Sequence, residues 1–114
     1  MNINNKVKDK NIHNKLITQT QLRLMHGSVY YDNIYRNKEY SLGKNFPTGE
    51  IDLYATRKDY VLLFEMKSND SQHLQNKAEN QLNRATQLFE GKRIFKFYVT
   101  PNDIKWIISK RNFK

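Results

Sequence analysis

The chain contains no cysteine among its 114 residues. Disulfide bridges, thiolate zinc sites and cysteine nucleophiles are therefore excluded, and the absence agrees with a reducing compartment. No apolar run approaches the roughly 18 residues that a membrane-spanning helix needs. The N-terminus also lacks the apolar segment of a secretory signal. We therefore expect an intracellular, cytoplasmic protein that has no membrane partner.

Glycine is scarce, with four residues in the chain. None of them lies in a phosphate-cradling loop or in the sharp turn that carries a hydrolase nucleophile. The three histidines, His13, His26 and His73, are scattered, with no His-x-x-x-His spacing and no nearby carboxylate cluster. We predict that each histidine is a surface residue, and a zinc site is not expected.

Acidic residues are few, and the charge balance is strongly positive. Eleven Asp and Glu face 20 Lys and Arg, which gives a formal net charge of +9. Such an excess points to a polyanionic partner, either a nucleic acid or an anionic membrane surface. The length suits one domain over residues 1–114. A domain of this size buries roughly two thirds of its unfolded surface, so a core and one site are possible.

The apolar pattern predicts an α/β fold with the element order α-β-β-β-α-β-β. Its central sheet would be mixed, with about five strands flanked by helices. Residues 1–13 are polar and basic and are predicted to form a flexible arm. The predicted helices are 14–26 and 71–90, and the predicted strands are 28–35, 50–55, 60–67, 93–100 and 104–108.

Two of these elements have informative side chains. Residues 61–64 are apolar without alternation, which favours a central strand that is covered on both faces. In the second helix Ser71 or Asp70 can serve as N-cap, and Gln81 falls inside the apolar stripe. A glutamine at such a position needs hydrogen-bond partners, either in an active site or on the backbone. The sequence leaves both alternatives open.

Acidic residues interrupt two of the apolar strands. Glu50 and Asp52 share one strand face, as do Glu65 and Lys67. A hairpin around the 56–59 turn places Asp52 nearly opposite Glu65. Two carboxylates within about 5 Å repel each other unless a cation lies between them. Mg²⁺ suits such a pair, while the structural alternative is an exposed ion pair between Glu65 and a lysine.

The pattern Gly49-Glu50-Ile51-Asp52-Leu53, a short turn, a four-residue apolar run and Glu65-x-Lys67 resembles the PD-(D/E)xK nuclease superfamily. The small chain is most similar to the archaeal and viral Holliday-junction resolvases, which leaves a virus or phage as a candidate source. The resemblance covers most of the chain and implies a restriction-endonuclease-like fold. It implies Mg²⁺ as cofactor, with Mn²⁺ able to substitute. Asp52, Glu65 and the carbonyl of Met66 would bind the metal, Lys67 would be the catalytic lysine, and Gln81 would reach the site.

The chain also departs from the family pattern. Many members have a metal-binding glutamate in the first helix, whereas residues 11–26 contain no Asp or Glu. The candidates that could replace it are Thr18, Gln19, Gln21, His26 and Glu39. A site with one metal is therefore supported better than a site with two, and the role of Glu50 stays open.

We expect a metal-dependent endodeoxyribonuclease that cuts branched or junction DNA in recombination or repair. Cleavage of two symmetric strands implies a homodimer. Lys44, Lys77 and Arg84 are candidate phosphate contacts. The alternatives are another repair, nicking or restriction-like nuclease of the same fold, and a catalytically inactive nucleic-acid-binding module.

The aromatic residues allow more than one interpretation. Tyr30, Tyr31, Tyr35 and Tyr40 lie among basic residues, a pattern that suits splayed bases but is more often core or dimer interface. Trp106 lies next to Ile107 and close to Ile104 and is predicted to be part of the core.

Overall fold

A computed structural model of the chain describes residues 3–45 and 48–107, with only the backbone described for residues 3–9. It confirms the α/β class and the predicted element order. The elements are α1 (Ile3–His26), β1 (Asn33–Ser41), β2 (Thr48–Arg57), β3 (Tyr60–Met66), α2 (Gln72–Ala85), a 3₁₀ turn (Thr86–Phe89), β4 (Arg93–Val99) and β5 (Ile104–Ile107).

The five strands form one mixed sheet in the order β1-β2-β3-β4-β5. Neighbouring strands are antiparallel except β3 and β4, which are parallel. A parallel pair needs a crossover connection, and α2 provides it. The predicted central position of β3 is confirmed, since Val61 and Leu63 are fully buried in the middle of the sheet.

The two helices contribute to separate apolar clusters around the sheet. On the α2 side, Leu82 and Ala85 pack in a cluster with Val61 and Leu63. On the α1 side, the cluster consists of Leu16, Ile17, Leu53, Phe64, Met66 and Val99. This double cover explains why β3 is apolar at successive positions rather than at alternate ones.

Helix α1 is longer than the sequence predicts. It begins at Ile3, so residues 3–13 belong to the helix instead of a flexible arm; residues 1–2 lie outside the described part. The apolar positions Ile12, Leu16, Ile17 and Leu24 contribute to the α1-side cluster. This stripe extends the helical pattern to residues before the predicted start at 14.

The first strand was also predicted in the wrong place. The expected strand 28–35 is replaced by β1 over Asn33–Ser41, and Val29 and Tyr30 are exposed before it. β1 is an edge strand that pairs only with β2, so hydrogen bonding to β2 defines it more than its apolar content does. Of the four tyrosines in this region, Tyr40 is buried and Tyr30 and Tyr35 are exposed.

The remaining elements agree with the prediction to within a few residues. The predicted helix 71–90 ends at Ala85 and continues as the 3₁₀ turn. Ser71 is its N-cap, with its hydroxyl oxygen accepting a hydrogen bond from the Leu74 N–H at 3.3 Å. In the described residues, no helix is both long and apolar enough to cross a bilayer.

Candidate active site

A polar cleft of about 380 Å³ lies where β2 and β3 separate, with α1 and α2 both contributing to its walls. The described pairing between β2 and β3 ends at Leu53 and Phe64, so the next residues, Asp52 and Glu65, lie at the mouth of the gap. The cleft is lined by His13, Glu39, Thr48, Gly49, Glu50, Asp52, Glu65, Lys67, Gln81 and Arg84.

The predicted neighbours Asp52 and Glu65 are brought together by the hairpin register. Both residues are buried, at 3 % and 4 % exposure. The Oδ2 atom of Asp52 accepts a hydrogen bond from the Met66 backbone N–H at 2.8 Å. The Asp52 carboxylate is therefore held across the gap between the two strands.

Burial raises the pKa of Glu65 well above its usual value, and the negative charge of Asp52 raises it further. Lys67 acts in the opposite direction, with its Nζ 3.7 Å from Glu65 Oε2. The two carboxyl groups are close enough to share a hydrogen bond. Glu65 is therefore harder to ionise than an isolated glutamate.

His13 is the functional-site residue that the sequence analysis missed. Its Nε2 atom lies 2.9 Å from Asp52 Oδ2, and its side chain is partly buried in the wall of the cleft. The prediction that His13 is an ordinary surface residue is therefore wrong. The hydrogen bond to Asp52 is the main reason that the pKa of His13 is raised.

A sequence signal for His13 existed. It lies four residues before Ile17, which is fully buried, and positions four apart share a helix face. The predicted helix begins at residue 14 and so does not include His13. The candidates named to replace the missing helix acid do not line the cleft, except Glu39; Thr18 and Gln21 accept hydrogen bonds from Arg36 instead.

The backbone is irregular beside Asp52. Pairs on either side, Arg36 with Leu53 and Lys38 with Ile51, are in register, while the intervening Asn37 has a left-handed φ of 54°. Ile51 packs in the α2-side cluster and Leu53 in the α1-side cluster. Residues two apart on a regular strand share a face, so the alternation of β2 is broken between Ile51 and Leu53. Local irregularities of this kind re-aim side chains, and here Asp52 is reached from both α1 and β3.

The α2 wall of the cleft includes Gln81 and Arg84. Within the described residues, Gln81 Oε1 and Arg84 Nε are buried and have no hydrogen-bond partner. A buried polar atom without a hydrogen-bond partner lowers the stability of the fold. The two atoms are therefore candidates for hydrogen bonds to a bound ligand. Of the other predicted phosphate contacts, Lys44 and Lys77 are exposed and do not line the cleft. Their role stays a prediction.

The cleft contains carboxylate oxygens that could bind a divalent cation. Across residues 10–45 and 48–107, no three His, Asp or Glu side chains are arranged as a ready metal site. The carboxylates of Asp52 and Glu65 remain as protein donors in the cleft, whereas Met66, the third predicted ligand, is not among the residues that line it. Mg²⁺ needs only one or two carboxylates and completes its shell with water and phosphate oxygens. The residues therefore fit a magnesium ion that binds together with a phosphate substrate.

The chain was compared with known proteins, and no family model, curated protein or solved structure matches it.

Proposed function

We propose that this protein is a Mg²⁺-dependent endodeoxyribonuclease that hydrolyses phosphodiester bonds at the cleft between β2 and β3. The observation that carries the proposal is the convergence of Asp52, Glu65 and Lys67 in one cleft, with two buried carboxylates beside each other. A basic protein with an acidic cleft suits a polyanionic substrate that is bound through a cation.

Each residue has a role that follows from its position. Asp52 and Glu65 would hold the cation in the cleft, and the resemblance to the PD-(D/E)xK nucleases implies the Met66 carbonyl as a third protein oxygen. The bound cation would polarise the phosphate and lower the pKa of a water molecule. A cation between the two carboxylates would offset the repulsion from Asp52 and so favour the ionised form of Glu65.

Lys67 is placed to act on the phosphate or on the attacking water. Its Nζ is anchored 3.7 Å from Glu65, and its backbone N–H donates to the Val99 carbonyl at 2.9 Å. The positively charged Lys67 side chain can stabilise the negative charge that develops on the phosphate oxygens. Gln81 and Arg84 line the same cleft from the α2 side, where Arg84 Nε can donate a hydrogen bond to the substrate and Gln81 Oε1 can accept one.

Branched DNA, such as a four-way junction, is the proposed substrate. A domain of 114 residues has little surface with which to read base sequence as well as backbone, which favours recognition of DNA shape. A homodimer that places two clefts on opposite strands would cut a junction symmetrically.

The test is a cleavage assay with labelled junction, linear duplex and single-stranded DNA in Mg²⁺. Asp52→Asn, Glu65→Gln and Lys67→Ala should each abolish cleavage while leaving junction binding in Ca²⁺ intact. The matched controls are Glu90→Gln and Lys15→Ala, both at exposed positions outside the cleft, and these should cut normally.

The substrate arms separate the possible outcomes. Symmetric nicks in the junction alone support a resolvase, and equal cutting of duplex or single strands supports a broader nuclease. If the three cleft variants cut as well as the wild type, the site assignment is wrong. Tight, salt-sensitive binding without cleavage in Mg²⁺ or Mn²⁺ would instead identify an inactive binding module.

A further inference from the structure

A second surface lies on the sheet and shares no lining residue with the cleft. Aromatic rings from three strands and the segment before β1 form an open groove of about 440 Å³, which we call the aromatic face. It is lined by Tyr31, Tyr60, Leu62, Arg93, Phe95, Phe97 and Trp106. Trp106 is 59 % exposed, so the prediction that it belongs to the core is wrong.

The face is separate from the cleft. Tyr60 and Arg93 pair at the amino ends of β3 and β4, whereas Glu65 and Lys67 are at the carboxyl end of β3. Tyr60 precedes Glu65 by five residues, which corresponds to about 17 Å along a strand. The residues that line the face are therefore not part of the candidate active site.

The composition of the face is unusual for a surface. Five of its seven lining residues are aromatic, and the rings of Phe95 and Trp106 are 6.2 Å apart between centroids. The ring of Tyr60 lies 6.0 Å from that of Phe95 and 5.9 Å from the Arg93 guanidinium. Aromatic rings on a sheet, beside an arginine, form the kind of platform on which unpaired bases stack.

Basic residues surround one end of this platform. The β2–β3 turn and the start of β4 bring together Arg57, Lys58, Lys92 and Arg93. These two segments are joined because Lys92 Nζ donates to the Lys58 carbonyl at 3.3 Å and the Arg93 N–H donates to the Asp59 carbonyl at 2.9 Å. Asp32 and Asp59 are the acidic residues nearby, so cations outnumber acids at this rim.

We propose that the aromatic face binds single-stranded nucleic acid, with bases stacked on Trp106, Phe95 and Tyr60 and phosphates on the basic rim. Charge complementarity selects this occupant over a second copy of the chain. Cations outnumber acids at this rim, so two copies that meet at this particular rim would repel, whereas a polyanion is attracted. The inference does not depend on the nuclease proposal.

Trp106 makes the proposal directly measurable, since it is the only tryptophan in the chain. An oligothymidylate of about 12 nucleotides, within the site size of single-strand binding folds, is titrated into the protein in EDTA at low salt. Quenching of Trp106 fluorescence is expected. Trp106→Phe should keep most of the affinity because an aromatic ring remains at this position. Binding by this variant is measured by the fluorescence anisotropy of a labelled oligomer.

Variants that lack one aromatic ring measure how much stacking contributes to the affinity. Trp106→Ala removes a largely exposed side chain, so the fold should be retained, as circular dichroism would verify. Loss of one stacked base predicts an affinity lower by roughly 5- to 150-fold. Arg93→Gln should make the affinity less dependent on salt. Tyr30→Ala is the matched control, because Tyr30 is 78 % exposed and lies outside the aromatic face.

Three results would overturn the proposal. The first is an absence of quenching together with unchanged oligomer affinity in Trp106→Ala. The second is an equal loss of affinity in Tyr30→Ala and Trp106→Ala. The third is a wild-type dimer that Trp106→Ala converts to a monomer in sedimentation while oligomer binding is unchanged, which would assign the face to a second copy. Asp52→Asn should bind the oligomer like the wild type, so a failed nuclease assay leaves this test intact.

Discussion

Replacement of Glu65 by glutamine should make the metal-free protein more stable. Glu65 is buried beside the carboxylate of Asp52, and burial followed by that negative charge raises its pKa well above the usual value. Glutamine has nearly the same shape and can still form hydrogen bonds, but it cannot ionise. The substitution therefore removes a charge that the folded state disfavours.

The expected size follows from linkage. For each unit by which the folded pKa of Glu65 is raised, the ionised form destabilises the fold by about 1.4 kcal/mol. Single stabilising substitutions commonly add roughly 0.5–2 kcal/mol to the free energy of unfolding, and we expect a gain at the upper end of this range at neutral pH. In a domain of about 100 residues, 1 kcal/mol corresponds to a Tm increase of roughly 4–8 °C.

The pH dependence has a definite sign. A raised folded pKa means that the folded protein binds more protons than the unfolded chain between the two pKa values. The stabilising contribution of protonated Glu65 is therefore fully present below the unfolded pKa, about 4.3, and is lost as the pH rises through the folded pKa. The wild type and Glu65→Gln should differ little near pH 4 and most at neutral pH and above.

Urea unfolding in EDTA across this pH range measures the difference, with Glu90→Gln as the control at an exposed position. Addition of Mg²⁺ should then raise the Tm of the wild type and leave that of Glu65→Gln unchanged, because a ligand stabilises only the protein that binds it. A variant that is less stable than the wild type at neutral pH, or a difference that is constant with pH, would refute the reasoning.

Three further predictions concern residues around the site and the fold. Gly49→Ala should destabilise the protein by roughly 1–3 kcal/mol in urea unfolding, because a Cβ would lie 2.5 Å from the Tyr40 ring; an unchanged midpoint would contradict this close approach. Ser71→Ala should cost about 1 kcal/mol through loss of the N-cap, which thermal unfolding would detect, whereas Ser71→Asp should keep most of the stability. His13→Ala should remove a stabilising contribution that is fully present below the unfolded histidine pKa of about 6.5. In the wild type this contribution is lost as the pH rises through the folded pKa of His13, which the hydrogen bond to Asp52 raises. Equal losses of stability at pH 5 and pH 9 would show that the His13–Asp52 pair does not form.

Local patterns in the sequence were sufficient for much of the fold. The order of the elements, the central position of β3 and the Ser71 cap were all predicted, because each depends on residues that are close together in the chain. The pairing of Asp52 with Glu65 belongs to the same class, since a short hairpin turn determines the register of its two strands. Lys67 follows Glu65 by two residues and is brought to the cleft with it.

Long-range packing decided what the sequence pattern could not. The contact between His13 and Asp52 joins residues 39 positions apart, and it depends on where α1 lies across the sheet. Ile51 and Leu53 pack in different clusters although they are two residues apart on β2, a break in alternation that the sequence of the strand alone does not reveal.

Trp106 illustrates the physical limit most clearly. Its apolar neighbours in sequence predicted a core residue, yet it is largely exposed on the aromatic face. By itself, the sequence determined which residues prefer burial and which strands pair locally, because these properties depend on side-chain chemistry and short loops. Only the tertiary structure decided which apolar surface is covered, because a helix shields just the strands on which it packs.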